Sequence, residues 1–411
     1  MSLPPPNIAR QDDADEAAWA DRERAFRGDP LHQVAAASLL RLWSAVPAAG
    51  ALIIIGSWLT GEVVSDRFWW SQFLEWIPTF LVLIATGLLI VAADVGRRLM
   101  RRARAHDPAL GRLRIGVAVA GLAWACVLGY FVVFELRVGR WLLRSSNAGE
   151  HLRVVFWNSG GEDNQGWAQS IQDLTPDLCV FTSLSHEGLV APIAQAMSKD
   201  PVNWPAWVLT HDRFTFISRW RMIRCGFIEL NISRGSGLDP REQGPKRYYD
   251  PGRAMFLEVE HPAGGEKPLV VWVLDLPSDL SLPKALITEQ AADAIRAFRG
   301  PVLEMLASGW WTDADWPRGG FPTPDVVVGD CNIPRGSWSL GHITRLHEAG
   351  LTDAWSQAGA GLTATYPRTR PLWHLDQVFV GPGLRAAGYG TFSTGTGTHR
   401  GVWADVEYRS P

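Results

Sequence analysis

Carboxylates, carboxamides and a histidine stand at the ends of short apolar runs in the C-terminal part of the chain. The central run is Pro324-Asp325-Val326-Val327-Val328-Gly329-Asp330-Cys331-Asn332. Three successive valines, in a run too short for a helix, predict a buried strand. The strand ends in a turn that sets a carboxylate and an amide two residues apart. Alternation along an extended chain sends Asp330 and Asn332 to the same side. Such a pair can position a metal-bound water, or a phosphate, for hydrolysis. The competing expectation is an Asx-turn that merely closes the strand.

Four other segments carry groups of the same kind. Residues 152–158 read as a strand ending in Asn158. Residues 372–380 read as a strand opening with Asp376. Residues 397–402 put His399 in front of a last strand. Between them lie Leu351-Thr352-Asp353-Ala354-Trp355 and Thr363-Ala364-Thr365-Tyr366-Pro367.

The elements that must position these groups occupy only part of the chain. Its 411 residues are too many for one ordinary core, so two or more parts are expected. With 47% hydrophobic residues and 21 Trp, the chain is not disordered overall. A net charge of -3 lacks the basic footprint of a strong nucleic-acid binder. Cys126, Cys179, Cys225 and Cys331 form no CxxC or Cys/His metal spacing and are expected as buried free thiols.

Residues 1–38 are a polar, acidic tail. Residues 39–143 hold three uncharged apolar segments, 42–60, 76–93 and 115–134. Each is near the ~20 residues that cross a bilayer as a helix. The link between the second and third carries Arg97, Arg98, Arg101, Arg102, Arg104, Arg112 and Arg114; the first link carries Arg67 alone. Positive-inside counting places the Arg-rich link in the cytoplasm and everything after the third segment outside, as in a bacterial inner membrane. Phe68-Trp69-Trp70 and Trp76 in the first link resemble an interfacial aromatic belt.

Residues 150–411 form the third part. Strands are expected at 153–157, 178–181, 207–209, 214–217, 255–259, 269–274, 325–328 and 377–380, and helices at 167–174, 191–197 and 286–298. Many strands with few crossover helices predict an α/β, two-sheet sandwich with helices outside. Residues 231–252 and 309–323 are expected as long loops. Trp310, Trp311 and Trp316, in the second, are expected to line the cleft or touch lipid.

In order and spacing, the segments around Asn158, Asp330-Cys331-Asn332, Asp353, Asp376 and His399 resemble the endonuclease/exonuclease/phosphatase family over about residues 152–408. The resemblance implies a four-layer α/β sandwich and hydrolysis of a phosphate ester assisted by Mg2+ or Mn2+. By matching position, Asn158 contacts phosphate or orients a neighbour, Asp330 orients the attacking water, and Asn332 holds a phosphoryl oxygen. Asp376 fixes the imidazole of His399, which binds the phosphoryl group or shuttles a proton.

Three positions depart from that pattern. Ser183 stands where the family has its metal-binding Glu, Thr398 where it has a second metal carboxylate, and Asp275 where it has a His. Hydroxyls are poor ligands for a hard cation. Asp275, with Asp330, is the candidate replacement ligand; Glu162, Asp163 and Glu187 are weaker ones. Two functions follow as expectations. One is a membrane-anchored hydrolase of phosphodiesters or phosphomonoesters, acting on a lipid head group or on nucleic acid. The other is a catalytically inactive relative that binds a ligand or partner in the same cleft.

Overall fold

The computed structural model describes residue 19 and residues 30–103, 108–142, 151–161, 166–184, 190–198, 206–232, 250–262, 264–265, 267–306, 309–314 and 321–409. These group into two compact units. One contains the chain up to Trp58 and the segment Thr79–Gly129; the other contains Leu59–Pro78 and everything from Tyr130 onward.

The first unit is helical. The helices Pro30–Val64, Thr79–Ala103 and Ala109–Tyr130 contain its apolar segments. Three stretches, Ser38–Arg67, Thr79–Arg102 and Ala109–Glu135, are long and apolar enough to cross a membrane. Polar side chains within the unit find partners: Ser44 Oγ donates to the carbonyl of Ala93 at 2.9 Å, and Trp124 Nε1 donates to that of Leu83 at 2.9 Å. Such bonds satisfy polar groups on otherwise apolar helices. Cys126 is exposed, contrary to expectation, because it lies on an outward helix face; Cys179, Cys225 and Cys331 are buried free thiols.

The second unit is built on two mixed sheets. The six-stranded sheet contains β1 (Leu152–Asn158), β2 (Leu178–Thr182), β3 (Trp207–His211), β4 (Phe214–Ser218), β13 (Leu384–Phe392) and β14 (Gly401–Tyr408), in the order β13-β14-β1-β2-β4-β3. The eight-stranded sheet contains β5 (Met222–Glu229), β6 (Arg253–Val259), β7 (Leu269–Asp275), β8 (Val302–Met305), β9 (Trp311–Ala314), β10 (Val326–Asp330), β11 (Thr352–Asp353) and β12 (Asp376–Val380). Its order is β11-β12-β10-β7-β6-β5-β8-β9.

Alternation along the strands sorts the side chains into layers. Leu152, Val154 and Phe156 of β1 join Val326 and Val328 of β10 and Val271 and Val273 of β7 in the core between the sheets. Val155 and Trp157 point the other way, under the helices Trp167–Gln172 and Val190–Met197. Trp272, Val327 and Phe379 lie under the helix Lys284–Ala297. The result is the four-layer sandwich that the sequence implied. Residues 311–314, expected as loop, form β9 at the far edge of the larger sheet; Trp311 packs on the central core.

The short segment Leu59–Pro78 is an integral part of this second unit. Ser339 donates from both its backbone N and its hydroxyl to the carboxylate of Asp66, the backbone bond being 2.9 Å. Gln72 is buried; its amide accepts from Lys284 N at 3.0 Å and donates to the carbonyl of Leu280 at 3.1 Å. Trp373 Nε1 donates to the carbonyl of Trp76 at 2.8 Å. These bonds satisfy backbone groups at the start of two sandwich segments, which explains why polar residues of this stretch are buried.

Candidate active site

The strand parity that fills the inter-sheet core also aims the polar groups. Phe156 faces that core, so Asn158, two residues on, faces the same gap at the end of β1. By the same count Asp275 follows Val273, Asp330 follows Val328, and Asp376 precedes Val378. The pairing registers bring these ends together: Asp330 is opposite Asp376 on one side and Asp275 on the other. Gly329 permits that last pairing, because a Cβ there would lie 2.1 Å from the carbonyl oxygen of Leu274.

Asp330 is the hub. Its Oδ2 accepts from Asn158 Nδ2 at 2.8 Å and lies 3.6 Å from His399 Nε2. Its Oδ1 accepts from the backbone N of Asn332 at 2.9 Å. This is the Asx-turn considered from sequence, and it coexists with a place in the site. The turn puts Asn332 at φ 50, so strand alternation does not reach it; its Nδ2 donates instead to the carbonyl of Leu276 at 2.7 Å. His399 Nδ1 bonds Asp376 Oδ2 at 2.9 Å. The imidazole is therefore flanked by a carboxylate at each nitrogen. Its backbone is fixed by Trp157 Nε1, which donates to the His399 carbonyl at 3.2 Å.

Charge states follow from this geometry. Burial disfavours the imidazolium of His399, but Asp376 and Asp330 outweigh that and raise the ring to about 9. Burial pushes the Asp330 carboxyl up, partly offset by the facing imidazolium. Both shifts favour a proton kept between the two groups at neutral pH.

These residues open on a cleft of roughly 650 Å³, lined among others by Asn158, Asp275, Asp330, Asn332 and His399. Asp376 stands behind His399 and away from the opening. Ser183 and Thr398 also line the cleft, so seven of the positions marked from sequence meet there; Asp353 does not, its carboxylate capping the helix Ala354–Ala358 instead. Glu162, Asp163, Glu187 and Trp316 lie outside the described residues. Trp310 and Trp311 do not line the cleft; Trp310 is 75% exposed.

Asp330, Asp376 and His399 each offer a donor atom within 4.8 Å of the others, a grouping that could hold a metal ion. The donors as arranged suit a dication poorly. Both ring nitrogens of His399 already face carboxylates, and an imidazolium has no lone pair to give. Asp275, the candidate replacement ligand, accepts a bond of 2.6 Å from Arg213 Nη1. Ser183 and Thr398 bring hydroxyls, and Thr398 packs directly against Gly160, where a Cβ would be 2.2 Å from its Oγ1.

Sequence reasoning missed Arg213, Asp250 and the role of Tyr366. Arg213 sits at the tip of the β3–β4 hairpin, 62 positions from Asp275 in sequence, so no local motif links them. Tyr366 lines the cleft with its ring 4.8 Å from that of His399. Tyr366 also stacks on Trp373 at 6.3 Å, and Trp373 lies 5.6 Å from Trp76. An aromatic row thus joins the segment Leu59–Pro78 to the imidazole of His399.

No family profile matches the sequence, and no curated protein matches it. Solved structures do resemble it in fold. An endonuclease/exonuclease/phosphatase family protein from Bacteroides thetaiotaomicron aligns at 13% identity and TM-score 0.43, over 64% of this chain and 99% of its own. A mannosyl-6-phosphatase from the same organism aligns at 14% and 0.42, over 62% and all of its own chain. A third, an endonuclease/exonuclease/phosphatase from Beutenbergia cavernae, aligns at 16% and 0.38, over 63% and 72%. Two of these three carry the name of the family that the sequence motifs resemble. What the site can do is argued from its own residues.

Proposed function

We propose that this protein is a membrane-anchored phosphoester hydrolase whose catalytic unit faces the extracytoplasmic side. The observation that carries the reading is the row Asp376–His399–Asp330–Asn158, linked by two hydrogen bonds and a 3.6 Å ion pair, whose last three members line one cleft. In this reading a phosphoester lies over Asp330 and His399. Water attacks phosphorus in line with the leaving oxygen, and its proton passes to Asp330. The imidazolium offsets charge on the phosphoryl oxygens and protonates the leaving alkoxide as the P–O bond breaks. Asp376 holds the ring in that orientation. Asn158 keeps Asp330 aimed, and Asn332 is left with one amide N–H for a phosphoryl oxygen.

The phosphoester class includes a lipid head group, a small phosphomonoester and a nucleic-acid phosphodiester. The first is favoured by Phe68, Trp69 and Trp70, each more than half exposed on the segment that joins two apolar helices. The orientation rests on the Arg-rich link at 97–114; alkaline phosphatase fused after residue 411 in a bacterial host is expected to be active, and inactive when fused within that link. The reverse pattern would place the catalytic unit in the cytoplasm.

The test of activity uses the full chain in detergent micelles with bis-p-nitrophenyl phosphate and p-nitrophenyl phosphate. It is run with a chelator, with Mg2+ and with Mn2+. Turnover that vanishes in Asp330→Asn and His399→Ala supports the reading. Turnover untouched by Asp330→Asn sinks the site assignment. A second reading, a ligand-binding module without turnover, is favoured by the hydroxyls at Ser183 and Thr398. It predicts no hydrolysis under any of these conditions, with inorganic phosphate binding weakened by His399→Ala.

A further inference from the structure

Arg213 leaves the β3–β4 hairpin of the smaller sheet and reaches across the cleft to the larger one. The strand register fixes its starting point. β2 pairs with β4 so that Thr182 faces Phe214, and the backbone N of Ser183 donates to the carbonyl of Arg213 at 2.8 Å. Arg213 therefore begins beside the position where a metal carboxylate is missing. Asp212, at φ 52, turns the chain so that the hairpin closes there.

Among the described residues, its guanidinium meets two carboxylates from the opposite sheet and its flanking loop. Nη1 lies 2.6 Å from Asp275 Oδ2 and 3.3 Å from Asp250 Oδ2. Asp275 is buried, so its carboxylate depends on a partner inside the protein, and Arg213 is that partner. Asp275 is also the register partner of Asp330. Two carboxylates at adjacent strand ends repel one another, and a nearby cation is needed to keep both ionised. A dication coordinated by oxygen atoms is one solution. A guanidinium, always charged and with five N–H donors in a fixed plane, is another.

We propose that Arg213 is the built-in counter-cation of this cleft, standing where a divalent ion would otherwise be needed, and that the native cleft takes no metal. This deepens the hydrolase reading by assigning the cation, and it does not depend on turnover. Each element agrees with it. The hydroxyls of Ser183 and Thr398 are what remains when no dication has to be held. Asp275 stands at the reach of a guanidinium, with a charge-assisted bond. Asp250 adds a second acceptor and is itself 3.4 Å from Arg253 Nη1, so the guanidinium is clamped on a braced carboxylate.

The experiment is Mn2+ binding to the full chain in micelles, followed by electron paramagnetic resonance and, in parallel, by the shift of the melting temperature. The wild type is expected to show no saturable binding below millimolar Mn2+. Arg213→Ala uncovers Asp275 and Asp250 and is expected to bind Mn2+ at least tenfold tighter. Arg213→Lys keeps a cation and is expected to stay like the wild type. Arg213→Ala combined with Asp275→Asn is expected to lose the gain. Tight Mn2+ binding by the wild type that is lost in Asp275→Asn would overturn the proposal. So would Arg213→Ala that melts as a folded protein without any gain in Mn2+ affinity. Absence of phosphoesterase activity would count against the hydrolase reading alone, because none of these measurements uses a substrate.

Discussion

Nδ1 of His399 and Oδ2 of Asp376 lie 2.9 Å apart, with both side chains buried. Oδ1 of Asp376 is also buried and meets no protein partner among the described residues. The carboxylate is thus spent on one task, orienting and charging the imidazole. Asp376→Asn keeps the shape and removes the charge. Turnover of bis-p-nitrophenyl phosphate is expected to fall about 10²-fold or more, within the usual range for general acid–base catalysis. A loss of less than threefold in steady-state kinetics would remove Asp376 from the mechanism.

Lys284 opens the helix Lys284–Ala297 with its ammonium buried; among the described residues it has one long hydrogen bond, 3.4 Å to the carbonyl of Pro277, and lies 5.8 Å from the ring of Trp76. Burial lowers it from 10.5 to about 8, with Asp330 pulling the other way. A base with a depressed folded pKa destabilises the fold while it is charged. Below pH 8 that cost is fully present. Between about 8 and 10.5 the unfolded chain binds more protons than the folded one, so stability rises with pH. Lys284→Met is therefore expected to melt higher than the wild type at pH 7, and the difference should shrink toward pH 10.5. Melting curves of both proteins across that range decide it; a constant difference contradicts the assignment.

Gly329 sits where β10 passes β7, and a methyl group there would meet the backbone of Leu274, which cannot swing aside as a side chain can. Gly329→Ala is expected to cost on the order of 2–4 kcal/mol, because relief requires the two strands to part next to Asp330 and Asp275. Denaturant unfolding of the variant should show this as a lower midpoint. A midpoint within error of the wild type would mean that the strands can separate freely.

The row Trp76, Trp373, Tyr366, His399 predicts an effect at a distance. Trp373→Phe retains a ring and loses the bond to the carbonyl of Trp76. Turnover is expected to drop several-fold with little change in melting temperature, since Tyr366 loses its backing against the imidazole. Equal loss in Trp373→Phe and Trp373→Ala would point to the bond; loss in Trp373→Ala alone would point to ring packing.

Much of this arrangement was legible from residue order. Val326-Val327-Val328 announced a strand whose far end carries Asp330, and the parity of two along a strand then fixed which way it points. Asn158, Asp275 and Asp376 were marked by their places in the family pattern, and strand parity explains why they face the same gap. It failed at Asn332, because the turn after Asp330 leaves the extended region. The strand β5 was missed because Arg224 and Gly226 interrupt its apolar run; Arg224 is tolerated by its bond to Glu258 on the neighbouring strand. Arg213 escaped because its meaning depends on where a hairpin tip falls relative to another sheet. Local pattern carries the faces of strands; it carries nothing of what crosses between sheets.

The burial of Gln72 against Lys284 has a consequence for how the protein is assembled. The two are 212 residues apart, so the first is made long before its partner emerges. The segment Leu59–Pro78 must wait, tethered at both ends by apolar helices, as a docking template for a sandwich still being synthesised. A fragment that begins at residue 150 lacks this template and leaves Ser339, Leu280 and Trp373 without their partners. Supplying residues 59–78 as a separate peptide should then rescue such a fragment, much as the missing piece restores a split enzyme.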